Sequence, residues 1–203
     1  MALPLWYSIT FPVVFVSFFI LIYISYKKFP HYSILTRTIS GLGNLKRKSG
    51  LFFDIGLILI GSSSIPLFYF LYQELPQSLL SSIGIVLLFV GGSVGSTLEG
   101  FFDESKLKPH LFSSFIAFGA IIIGSILLIS PFLQSEAIPN WMVILNILIP
   151  ITSVFCGISA LYNIPYKPGI KKPILHNVNL WEWILFLVIC LWISLIFIIL
   201  ATT

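Results

Sequence analysis

"STLEGFFDESKLKPHLFSSF" (residues 96–115) lies between two apolar runs, and it gathers Glu99, Asp103, Glu104, Lys106, Lys108 and His110 in a chain of which only 9% is charged. Apolar runs of about 18 or more residues recur on both sides of it, and each is long enough to cross a bilayer. The stretch therefore reads as a loop between two membrane spans. Working outward, the same alternation of long apolar run and short polar connection extends over the whole sequence.

Composition supports this reading. The 203 residues are 58% hydrophobic, whereas a soluble domain is nearer half apolar and about a quarter charged. Too little polar surface exists to cover a water-facing globule. The apolar runs mix Leu, Ile, Val, Gly and the 19 phenylalanines without strict alternation, which excludes the dyad pattern of a transmembrane β-barrel. The expected fold class is all-α: one integral membrane domain over residues 1–203, a polytopic transmembrane bundle of six helices.

The spans are expected at 5–26, 51–72, 79–98, 111–132, 140–162 and 181–201. "SG" (49–50), "LPQS" (75–78) and "AIPN" (137–140) supply turn chemistry between them, and Asn140 is a candidate cap for the fifth helix. The opening "MALPLWYSIT" lacks the basic start of a signal peptide, so its apolar run counts as a span. Trp6, Tyr7, Tyr72, Trp141, Tyr162, Trp181 and Trp183 fall near span ends, where amphipathic rings sit at the headgroup level. Pro66 and Pro150 are expected to bend spans two and five and open an interior groove. The two cysteines, Cys156 and Cys190, lie inside apolar runs with no disulfide or metal spacing.

Charge gives an orientation. All eleven Lys and Arg residues follow an odd-numbered span: six after the first, two after the third and three after the fifth. Lys and Arg accumulate on the cytoplasmic side, so both termini are expected to face outward. The net charge of +4 then belongs to topology and lipid headgroups, and no nucleic-acid partner is expected. The three odd loops share one face, which also holds His31, His110 and His176. Asp54, Glu99 and Glu182 stand at the adjoining helix ends. "KKFPH" (27–31), "KLKPH" (106–110) and "KKPILH" (171–176) look like a weak repeat, as do "ILIGSSSIPLF" (58–68) and "IIIGSILLISPF" (121–132).

Such acids near span ends are costly in lipid and often functional. A first helical turn also favours an anion through the macrodipole, without any further role. The expectation is that Ser40, Asp54, Glu99, Asp103, His110 and Glu182 line one pocket formed by spans two, three, four and six. Lys46, Arg47, Lys106 and Lys108 would draw an anionic headgroup to it. His110, after Pro109 at a helix start, reads as a general base, a ligand, a headgroup donor, or an interfacial histidine bonded to water. Gly41 and Gly43 give backbone freedom for a turn or for a phosphate. Gly91 and Gly95 form a G-x-x-x-G close-approach pair.

Three stretches carry a family resemblance. "TISGLGNLKRKSGLFFDIGLILIG" (38–61) resembles the Ile-Ser-x-Leu-Gly signature and Gly-rich second span of the domain of unknown function 998 family. "GGSVGSTLEGFFDESKLKPHLFSSFIAF" (91–118) resembles its small-residue third helix, acidic turn and His-started fourth helix, and "NLWEWILFLVICLWISL" (179–195) its last helix. The matched positions are Ser40, Gly41, Gly43, Glu99, Asp103, His110, Glu182 and Trp192. "EGFFDE" replaces a proline–acid pair, and Trp183 stands where an Arg would follow Glu182. A looser resemblance extends to the Frag–DRAM–Sfk group of six-span proteins, some of them tied to lipid remodelling or organisation.

The function these observations imply is a membrane protein that binds or helps remodel lipid at the odd-loop face. One alternative is a non-catalytic structural subunit of a larger membrane complex, with other membrane subunits as partners. A metal-dependent lipid hydrolase is a further alternative, although the histidines form no His-x-x-x-His pair. A transporter would want mid-span charges, and there Asn146 is the strongly polar residue. With no Walker loop, no Cys-His pair and no Gly-x-Ser-x-Gly elbow, neither cofactor nor resident metal is expected.

Overall fold

Hydrocarbon offers no partner to a backbone N–H or C=O, so each apolar run must satisfy itself as a helix. The computed structural model of the protein describes residues 3–44, 49–102, 106–163 and 173–202, and every regular element among them is helical. The first two spans are α1 (Leu5–Lys28) and α2 (Gly50–Gln73). The third is composite: α3 (Leu79–Leu88), a π-helical segment Phe89–Gly95, and α4 (Ser96–Phe101). The fourth is α5 (Leu107–Leu127), trailed by the short α6 (Ile129–Gln134), and the last two are α7 (Met142–Asn163) and α8 (Val178–Thr202). Six helices among the described residues are long and apolar enough to cross a membrane.

Helix ends follow local chemistry. Ser78 caps α3, its hydroxyl accepting from the Ser81 N–H at 3.1 Å. Asn177 does the same for α8, its Oδ1 accepting from the Leu180 N–H at 3.3 Å, so that span begins three residues earlier than the sequence suggests. The fourth span is shifted too. Pro109 sits in the first turn of α5, where its missing N–H would have had no acceptor in the helix. At the far end Pro131 cannot donate to the Leu127 carbonyl and crowds it, so the helix stops and restarts as α6. The lead into α7 is a turn whose backbone bonds run from Met142 to the Pro139 carbonyl and from Val143 to that of Asn140.

Successive spans pack side by side: α1 on α2, α2 on α4, the third span on α5, α5 on α7, and α7 on α8. Rings close the circle from α8 back to α1, with Phe197 stacked on Phe11 at 4.8 Å and Phe186 beside Phe18 at 5.8 Å. Small residues permit the tightest contact. A Cβ on Gly91 would lie 2.6 Å from the Ala117 carbonyl, and one on Gly95 would lie 2.5 Å from the Ala117 Cα. The G-x-x-x-G pair therefore presses the third span directly onto α5. Polarity is distributed as lipid demands. Ser25, Ser64, Ser81, Ser113 and Ser125 are buried, while α1 exposes a stripe of Leu5, Ile9, Val13, Val16 and Ile20.

The first loop folds down onto the start of α8. The Tyr32 hydroxyl donates to the Thr38 carbonyl at 2.6 Å and accepts from Trp183 Nε1 at 2.9 Å. Asn177 Nδ2 donates to the Leu35 carbonyl at 3.0 Å. Ser25 of α1 holds the loop's far end, donating to the Ser49 carbonyl at 2.9 Å. These bonds carry Ser40, in the 3-10 turn Ser40–Gly43, to the first turns of the sixth span.

Candidate functional site: a cleft among α5, α7 and α8

Residues three and four apart share a helix face, and three such stripes converge here. On α5 the stripe is His110, Ser114, Phe118 and Ile122; on α7 it is Ser153, Cys156, Gly157 and Ala160; on α8 it is Val178, Glu182 and Leu185. With Thr38 and Ser40 from the first loop they enclose a cleft of about 400 Å³, within the range of about 300–1,000 Å³ typical of ligand sites. Deeper in the bundle α7 is tied to α5 by Asn146 Nδ2, which donates to the Ser125 carbonyl. Pro150 follows inside α7, and the residues beyond it line the cleft.

The cleft is amphipathic along its length. Ser40, His110, Ser114 and Glu182 supply polar groups near the helix starts; Phe118, Ile122 and Leu185 make apolar walls further in. From His110 to Ile122 is a climb of about 18 Å at about 1.5 Å per residue. Leu111 on α5 and Gly157 and Ala160 on α7 border the cleft and are themselves exposed, so it opens sideways between these two spans.

His110 is the best-fixed polar side chain. It is buried, and its Nδ1 lies 2.8 Å from the Phe102 carbonyl oxygen. A carbonyl only accepts, so Nδ1 carries the proton and Nε2 is the nitrogen with chemistry left to offer. The buried Glu99 of α4 stands behind it, beside Ser114 and in electrostatic contact with the imidazole. Glu182 Oε1 accepts from the Ser40 backbone N–H at 3.4 Å, joining the first loop to the last span across the cleft. His110 is thus held by a backbone carbonyl, not merely bathed at an interface.

Of the residues singled out from the sequence, the cleft lining includes Ser40, His110 and Glu182. Glu99 lines a smaller chamber next to it and acts on the cleft through its electrostatic interaction with His110. Asp54 lies elsewhere: a Cβ on Gly43 would sit 2.6 Å from its Oδ1, and one on Gly100 would sit 2.6 Å from its backbone carbonyl. The close packing of α2 on α4 fills the space beside it. Gly43 is needed there for room beside that carboxylate. Lys106 and Lys108 are exposed and are not part of the lining. Asp103, Lys46 and Arg47 fall outside the described residues. The other histidines do not converge on His110: His31 is exposed and His176 stacks on Tyr162 at 4.6 Å. Among the described residues no group of three or more His, Cys, Asp or Glu side chains is placed to hold a metal ion.

The pocket expected from spans two, three, four and six leaves out span five, which lines the cleft beyond Pro150. Its signal was present as "SVFCGISA" (153–160), a small-residue stripe directly after Pro150. Cys156, Ser114 and Thr38 also join the lining unforeseen.

A lipid-facing exterior, six spanning helices and an interior cleft define an integral, multi-pass membrane protein. The chain belongs to the family described as Protein of unknown function (DUF998), whose model matches residues 12–199. Comparison with curated proteins and with solved structures gave no match.

Proposed function

We propose that this protein binds a membrane lipid in the cleft, with the headgroup at Ser40, His110, Ser114 and Glu182 and a hydrocarbon chain along the apolar wall of α5 and α7. The observation that supports this reading is the cleft's shape and polarity: polar groups at the helix starts, about 18 Å of mostly apolar wall in which the deep Ser153 hydroxyl is spent on the Ile149 carbonyl, and a side opening between two spans. A water-soluble ligand would have no use for that opening. Lys46, Arg47, Lys106 and Lys108 would concentrate anionic lipid near the mouth by about 1 kcal/mol each, while the fixed imidazole selects among headgroups. The odd-loop face is cytoplasmic in this reading. The looser resemblance to the Frag–DRAM–Sfk group, with its members tied to lipid remodelling, points the same way.

Native mass spectrometry of gently purified protein tests the proposal. A lipid retained by the natural chain and lost from His110→Ala is the expected result. Identical retention in both proteins overturns the headgroup assignment, and a stoichiometric protein partner with no lipid favours a structural subunit of a larger complex.

A further inference from the structure

A second chamber of about 70 Å³ lies inside the bundle, and the cleft and chamber have Phe118 in common as a wall. On α8 the cleft ends at Leu185 and the chamber begins at Phe186, continuing through Ile189 and Cys190 to Ile193. Leu57 and Ile60 of α2 and Ile121 of α5 face them. Three polar side chains, Ser64, Ser96 and Glu99, share this lining; the Ser64 hydroxyl is spent on the Ile60 carbonyl at 2.7 Å, and Glu99 interacts with His110 of the cleft. The rest of the wall, from Phe18 and Leu57 to Ile189 and Ile193, is hydrocarbon, and a hollow with so apolar a wall takes apolar groups.

We infer that the inner chamber is a second hydrocarbon-chain subsite and that Phe118 is the partition that sets which chains enter it. This rests on the lipid reading of the cleft. Phe118 is only partly buried and borders empty space in both the cleft and the chamber, which gives its ring somewhere to turn. Turning it aside joins the two spaces. A two-chain lipid could then lay one chain along α5 and α7 and pass the other inward toward Ile193.

The two native cysteines report the two spaces separately. Both thiols are free; Cys156 lines the cleft and Cys190 the inner chamber. In a Cys156→Ser background, N-ethylmaleimide should modify Cys190 about tenfold faster when Phe118→Ala is added, because access through a closed partition follows its open population. Phe118→Leu should give an intermediate rate. Lipid extracted from Phe118→Ala should shift toward longer or bulkier chains. Ile189→Trp, which fills the chamber and leaves the partition alone, should shift it toward shorter ones. Unchanged Cys190 rates in both Phe118 variants overturn the partition. Retained lipid whose chain distribution ignores Phe118→Ala and Ile189→Trp overturns the subsite while leaving the cleft reading intact. A natural chain that retains no lipid removes both.

Discussion

Replacing His110 separates what its two nitrogens do. Nδ1 donates to the Phe102 carbonyl at 2.8 Å, and Nε2 is the nitrogen proposed to meet a headgroup. An Asn amide nitrogen stands as many bonds from Cα as Nδ1 does, so His110→Asn can keep the carbonyl bond and lose Nε2. His110→Ala loses both. Leaving a buried acceptor without its donor costs about 1–3 kcal/mol. Phe102 is only partly buried, which places this case in the lower half of that range. For a chain of this length each kcal/mol moves Tm by about 2–4 °C, so His110→Ala should melt about 2–8 °C below the natural protein. His110→Asn should recover most of that loss. Both variants remove the imidazole facing Glu99, so the difference between them isolates the Phe102 bond. Thermal unfolding in one detergent at one scan rate gives the comparison, since membrane proteins often unfold irreversibly. Lipid retention by mass spectrometry should fail in both variants alike. Equal melting of the Ala and Asn proteins would refute the carbonyl bond as the histidine's anchor. Lipid retained by His110→Asn would refute the role given to Nε2.

Three further outcomes are expected. Gly95→Leu places a Cβ 2.5 Å from the Ala117 Cα, where ordinary contact begins near 3.4 Å; the third span and α5 must part, costing at least about 1–3 kcal/mol. Gly119→Leu is the control, because nothing lies within 4 Å of its Cβ, and equal losses of Tm in the two variants would count against the close-packing account. Trp183→Phe removes the 2.9 Å bond to the Tyr32 hydroxyl and should cost about 0.5–1.5 kcal/mol; Tyr32→Phe, which also loses the bond to Thr38, should cost more in the same denaturation assay. A reporter active only in the cytoplasm should be silent at the C-terminus and active after Ser105, and the opposite pattern would reverse the orientation read from the basic residues.

The spans could be read from the sequence because hydrocarbon imposes one requirement on every residue of a run, and a run of about 20 apolar residues meets it in one way. Their neighbours could be read less well. Gly91 and Gly95 announced a close approach, but only the fold identifies Ala117 as what they press against. The π-helical segment Phe89–Gly95 left no mark in composition beyond those glycines. The site divided along the same line. Ser40, His110 and Glu182 stood out because a polar residue at the start of a greasy helix is conspicuous, and these three meet in one cleft. Asp54 was equally conspicuous and is not in the cleft's lining, because conspicuousness reports the cost of placing a charge in lipid and says nothing about the direction in which its helix faces. That direction depends on which neighbour packs where. Ser114, Cys156 and Phe118 were overlooked for the converse reason: a Ser, a Cys or a Phe inside a span costs little, so nothing flags it. Phe118 matters through its place between two cavities, and a linear sequence contains no cavities until the spans are arranged around them.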